Sequence, residues 1–164
     1  MDFIPEGLFP VEMSAGCVTT NGGITTDNIS LKNAVMAYIV VHLKQAVGHA
    51  TSFAPKRGTL VASAVTALAV SVPIWYGNVS TSSNSLTRQT DAVSFAVPVG
   101  DTGDCIIVFQ IDPAQLGKIS TTEAPVIGMA VSDSSQATNF ASIMVFLVPR
   151  YAEPTANAPS YITD

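Results

Sequence analysis

Charge is scarce in this chain. Asp, Glu, Lys and Arg together make up 12% of its 164 residues, where about a quarter is usual for a soluble domain. So few charges cannot solvate a whole surface, so part of that surface is expected to be covered by other subunits. The cations are scarcer still: Lys32, Lys44, Lys56, Arg57, Arg88, Lys118 and Arg150, scattered within a net charge of −5. No basic stripe exists to follow phosphates, which argues against nucleic acid as a partner. Cysteine is nearly missing. Cys17 and Cys105 lie far apart, and neither a disulfide framework nor a cysteine metal site is indicated. The two histidines, His42 and His49, have no Glu or Cys nearby and lack ligand spacing. No cofactor is expected. An uncharged stretch, Leu60–Tyr76, is broken by Ser63, Thr66, Ser71 and Pro73 and is short for a membrane span. The opening Met1–Glu6, acidic and interrupted by Pro5, does not read as a signal peptide.

What the chain does have is short runs of apolar, β-branched residues. The central one is Cys105–Pro113, Cys-Ile-Ile-Val-Phe-Gln-Ile-Asp-Pro. Branched and aromatic side chains crowd a helix but suit a pleated surface. Apolar residues stand at odd and even positions alike, so this strand is expected to have both faces covered. Met36–Lys44 reads as a second strand, with Tyr38, Val40 and His42 alternating against Ile39, Val41 and Leu43. Cys17–Thr19, Ile24–Thr25, Ala69–Trp75, Val93–Val97, Val126–Val131 and Ser142–Val148 complete the strand series. A short strand at His49–Phe53 is expected to stop at Pro55, and Pro73 to mark an edge or a bulge. Thr59–Leu68 reads as a loop with one helical turn, and Pro113–Leu116 as a turn of helix closed by Gly117.

Seven or eight short strands with turn signals between them predict an all-β, single-domain antiparallel sandwich of jelly-roll or Greek-key type. Its core is expected over residues 14–149. Residues 1–13 carry Phe3, Ile4, Leu8 and Phe9 around Pro5, Gly7 and Pro10, too apolar for a free tail and too broken for a regular element. They read as an extended arm lying on its own domain or on a neighbour. Residues 150–164, with Arg150, Tyr151 and Tyr161 among prolines, read as an extended C-terminal tail.

No catalytic constellation emerges. Asp101-Thr102-Gly103 is similar to the active-site triplet of aspartic proteases, but that chemistry needs two carboxylates sharing a proton. Between two strands it reads as a turn. No Gly-x-Ser-x-Gly elbow and no phosphate-cradling glycine loop is present. Trp75-Tyr76 could stack on a sugar, though packing in a core or interface fits the surrounding Pro73 and Gly77 better. The chain reads as a non-enzyme.

Several strings carry a resemblance. Lys32-Asn33-Ala34 leading into Ala37-Tyr38-Ile39-Val40-Val41 resembles a small family of virion proteins encoded near the head genes of tailed bacteriophages. So do Val72-Pro73-Ile74-Trp75, Leu86–Asp91, Val108–Pro113, Pro149-Arg150-Tyr151 and the closing Ala158–Asp164. The similarity runs from about Leu31 to the end; residues 1–13 match less well. It implies a structural protein made in the bacterial cytoplasm and carried on the capsid surface as a cement or decoration protein. The implied partners are the major capsid protein and further copies of the chain, in a trimer or less often a dimer. A neck or tail component is the alternative, and a carbohydrate-binding sandwich a more distant one. Phe3, Ile4, Leu8, Phe9, Arg150, Tyr151 and Tyr161 are the expected partner contacts.

Overall fold

A computed structural model describes residues 7–58, 66–79, 85–116 and 125–150. From the N-terminus its strands are β1 (Phe9–Glu12), β2 (Val18–Thr19), β3 (Ile24–Thr25), β4 (Ile29–Ser30), β5 (Ala34–Gln45), β6 (Ser52–Gly58) and β7 (Thr66–Ala67). There follow β8 (Val72–Asn78), β9 (Thr87–Ala92), β10 (Phe95–Ala96), β11 (Gly103–Ile111), β12 (Val126–Val131) and β13 (Phe140–Pro149). They form two antiparallel sheets packed as a β-sandwich. A seven-stranded sheet has the order β1-β13-β5-β11-β8-β9, with β2 also on β13. A six-stranded sheet has the order β10-β6-β12-β3, with β4 on β12 and β7 on β6. Among the described residues no helix is long and apolar enough to cross a membrane.

Period-two alternation decides which side chains meet between the sheets. Ile39, Val41 and Leu43 of β5, Ile107 and Phe109 of β11, and Ile143 and Val145 of β13 are fully buried. They pack on Phe53, Ile127, Met129 and Val131 of the opposing sheet in one core. Burying a side chain of this size contributes roughly 1.5–3 kcal/mol, so this layer dominates the stability of the domain.

Several expectations are corrected. β11 is central, between β5 and β8, but only one of its faces is buried; Ile106, Val108 and Gln110 alternate outward and are only half-covered. Pro55 does not end its strand: β6 runs through it, paired with Met129. On its other side β10 pairs at Ser52 and Phe53 and β7 at Lys56 and Arg57, so no ladder partner is missed at Pro55, which has no N–H to donate. Pro113–Leu116 is a hydrogen-bonded turn instead of a helical one, held by the Gln115 N–H to Asp112 O at 3.0 Å and the Ala114 N–H to Asp112 Oδ1 at 2.9 Å. Leu86–Asp91, too polar to read as a strand, contributes most of the edge strand β9. Pro73 sits at a register shift between β8 and β9, the bulge its ring demands. Gly117 and residues 59–65 lie outside the described residues.

Candidate functional site: an apolar outer sheet face

The outward side chains of the seven-stranded sheet form rows across the strands. One row is fixed by register from edge to edge: Glu12, Met144, Val40, Val108, Trp75, Arg88. Its neighbours are Pro10–Phe146–Tyr38–Gln110 and Ser142–His42–Ile106–Gly77. Beyond the latter, Phe140–Lys44–Asp104 closes one end of the face. The middle of this surface is therefore mostly Val, Met, Phe, Tyr, Ile and Trp, interrupted by His42, which is exposed, and Gln110. Met144 is 39% exposed, and the rest of the apolar centre is half-covered by its own neighbours.

Geometry sets the extent. Six strands at about 4.8 Å spacing span about 24 Å, and three rows two residues apart occupy about 20 Å with their margins, giving roughly 500 Å². Polar positions such as Glu12, Ser142, His42, Gln110 and Arg88 fall within this extent, so the apolar part is smaller and within the range of patches on ordinary monomers. Tyr38, Trp75, Leu86, Val108 and Gln110 line a shallow depression of about 360 Å³ within it. Over Trp75 lies the Arg88 guanidinium, its carbon 4.9 Å from the ring centroid, and Arg88 also pairs with Asp91. At Gly77 the face is closed by the chain itself, since a Cβ there would stand 2.8 Å from the Ser85 carbonyl oxygen.

Both edges of this sheet discourage strand addition. β1 carries Pro10, and β9 carries Arg88 and Asp91, the residues by which sheet edges avoid pairing with other chains. The face, and not the edge, is the accessible apolar surface.

A second cluster lies at the rim, where β11 begins. The Tyr76 hydroxyl donates to Asp101 Oδ2 at 2.6 Å and lies 3.4 Å from Cys105 Sγ. The Gln45 side-chain amide donates to the Asp101 carbonyl at 2.7 Å. Burial pushes the Tyr76 hydroxyl up, and its bond to Asp101 pushes it further. Burial likewise raises Cys105. The bonds from Tyr76 and Gln45 to Asp101 anchor the turn at Asp101–Gly103. Among the described residues no group of three or more His, Cys, Asp or Glu is placed to hold a metal ion.

The residues singled out as partner contacts fall in different places. Phe9 is 7% exposed and belongs to the core, opposite Leu147; its burial within the chain withdraws it from contact with a partner. Leu8 is half-buried just ahead of β1, and Arg150 is exposed, its N–H donating to Asn33 O at 2.6 Å. Because β1 pairs with the end of β13, Leu8 and Arg150 come to the same end of the sheet. Phe3, Ile4, Tyr151 and Tyr161 lie outside the described residues. Trp75 and Tyr76 face opposite sides of β8, Trp75 outward and Tyr76 inward to Asp101, so they do not form a joint stacking platform.

Sequence reasoning did not single out Val40, Ile106, Val108, Met144 and Phe146 as surface. In Cys105–Pro113 the apolar residues at odd and even positions alike read as cover on both sides, which hides Ile106 and Val108 as surface. Compared with protein-family models, curated proteins and solved structures, the chain matches none.

Proposed function

We propose that this chain is a structural protein of a tailed-phage particle, bound to the outside of the capsid as a cement or decoration protein. The observation that carries the reading is the apolar outward face of the seven-stranded sheet, a surface whose use is contact area. The resemblance of its strings to virion proteins supplies the setting. In that setting copies of the chain cover one another through the face, while the terminal segments reach the major capsid protein. The support for the second part is topological: β1 begins and β13 ends side by side, so both segments leave from one end of the sandwich. Bridging neighbouring capsid subunits stabilises a shell by mass action, and repetition over many sites adds avidity.

Imaging of purified particles tests this. Hundreds of copies over the shell are expected; a dozen or fewer at the neck or tail would establish the connector reading instead, and no copies would reject both. Removing residues 1–6 or 151–164 takes away none of the described strands, so loss of particle binding with an unchanged circular dichroism spectrum is the expected result for at least one truncation. Removing all of residues 1–13 is the wrong experiment, because it strips Phe9 and Met13 from the core.

A further inference from the structure

We infer that the outer face of the seven-stranded sheet is the interface of a symmetric dimer, with the two-fold axis running along the strands between β5 and β11. The inference rests on the reading of this face as a contact surface, and not on the virion setting.

Self-complementarity carries it. In the row Glu12–Met144–Val40–Val108–Trp75–Arg88, an axis between Val40 and Val108 reverses the order of strands in the second copy. Glu12 then meets the partner's Arg88, Met144 meets the partner's Trp75, and Val40 meets the partner's Val108. A thioether against an indole is a favourable contact, and two acid–base pairs close the rim. Two further rows fit the same axis, while the row Ser142–His42–Ile106–Gly77 sets His42 against the partner's Ile106. Lys44 on β5 and Asp104 on β11 are register partners, with Asp104 also 3.4 Å from His42 of its own chain, so each faces the partner's opposite charge. Tyr38 and Gln110, also register partners, place a hydroxyl beside the partner's side-chain amide.

The competing two-fold, laid along the row instead of along the strands, is disfavoured by the same residues. It stacks Glu12 on the partner's Glu12 and Arg88 on the partner's Arg88. Like charges at such sites suppress an arrangement. A C2 interface requires one patch to complement itself, and here the charge pattern selects one of the two orientations. The area is at the low end: about 500 Å² from each copy buries about 1,000 Å² in all, below the roughly 1,200–2,000 Å² of standard interfaces and in the range of weak, reversible ones. Aligned sheet packing at about −30° offsets the outer pairs by about 6 Å, which the long side chains of Arg88 and Glu12 must span.

Sedimentation of the full chain at micromolar concentration tests this. The expected species has twice the 17.1 kDa chain mass, and Met144→Lys is expected to weaken it by about a hundredfold or more, since it buries a charge near the centre of each half. Glu12→Arg alone and Arg88→Glu alone are each expected to weaken it by about tenfold, as rim charges turn repulsive. Combining the two restores each pair in reversed order, and the dimer with it. Circular dichroism and melting temperature confirm that every variant is folded; if Met144→Lys fails to fold, Val40→Lys takes its place. A wild-type monomer, a trimer, or a double variant no tighter than the singles would overturn the inference. Particle binding is read separately: a dimer that never decorates a capsid defeats only the proposed function, and a monomer that does so defeats only the dimer.

Discussion

The two outer faces of the sandwich differ in what they carry. Outside the six-stranded sheet the rows read Thr25–Ala130–Ala54, Gly128–Lys56–Ala67 and Ser30–Val126–Gly58. Outside the seven-stranded sheet they read Met144–Val40–Val108–Trp75 and Phe146–Tyr38–Gln110. Both sets of side chains lie on the far side of a common core, so neither is needed to hold the sheets together. The first face is mostly Ala and Gly, with Thr25, Ser30 and Lys56 its polar residues and Val126 buried but outside the core cluster. The second carries large apolar side chains, with His42, Gln110 and Ser142 among them and charged residues at its margins. The contrast is one of side-chain size, since Val126, Gly128 and Gly58 of the first face are buried while Met144 of the second is 39% exposed. The difference is what the proposed contact surface rests on.

The sharpest way to break the comparison uses two adjacent residues of β11. Phe109 points into the core and is fully buried, while Val108 points out and is half-covered. Phe109→Ala is expected to cost about 3–5 kcal/mol of folding stability, enough to unfold many domains of this size. Val108→Ala is expected to cost less than about 1 kcal/mol for the monomer, by analogy with exposed substitutions, and to loosen self-association instead. Denaturant titrations at concentrations below association separate the two. Equal losses would mean that the outward face is held by the chain's own fold, and the asymmetry of the faces would lose its functional meaning.

A smaller effect tests the faces against each other. Ala54→Lys and Val40→Lys both place a charge on an outer face, at half-buried positions of β6 and β5. Ala54→Lys is expected to leave the sedimentation coefficient and melting temperature within experimental error. Val40→Lys is expected to produce a folded monomer. If Ala54→Lys were the one to dissociate the protein, the six-stranded sheet would be the contact surface.

The strands of the core were legible in the sequence because their alternation is strict. Met36–Lys44 divides into Ile39, Val41 and Leu43 inside and Tyr38, Val40 and His42 outside, as the pattern requires. The second face was not legible for a physical reason. Alternation distinguishes in from out only when one side is polar, and Ile106, Val108 and Phe146 are as apolar as their buried neighbours. An apolar face covered within its own chain and an apolar face left outside it read alike. β9 was missed for the opposite reason, since Thr87–Ala92 contains no large apolar residue; it is a strand because β8 offers it a ladder. Pro55 misled because a missing N–H ends a strand only where a neighbour needs it.

The polar turns at the rim sharpen the comparison further, since they join the two sheets without belonging to either outer face. Tyr76 is held neutral beyond the usual tyrosine range of about 10 by burial and by its bond to Asp101. In the unfolded chain it loses its proton first as the pH rises, so its contribution is complete below about pH 10 and declines above it. Tyr76→Phe removes a hydrogen bond to a carboxylate and is expected to cost about 1–2 kcal/mol near neutrality. It should also flatten the alkaline decline. An equal decline in the variant would place the sensitive group elsewhere.

The smallest effect expected is acidic and lies in the loop from β12 to β13. Asp133 Oδ1 accepts the Gly22 N–H at 2.7 Å and the Ser135 N–H at 2.6 Å, and these two bonds hold its carboxyl below the ordinary value of 3.8. A carboxylate favoured by folding stabilises above its unfolded pKa and loses that contribution as the pH falls through its lower folded value. The stabilisation is therefore present above about pH 4 and fades below it. Asp133→Asn keeps an oxygen acceptor but no charge, and should lower the melting temperature slightly at pH 7 while reducing its fall on acidification. Association through the outer face should be indifferent to this change, because Asp133 contributes to no row of that face. A shift in dimer dissociation with Asp133→Asn at pH 7 would show that the turn and the face are coupled, and that contact area alone does not account for binding.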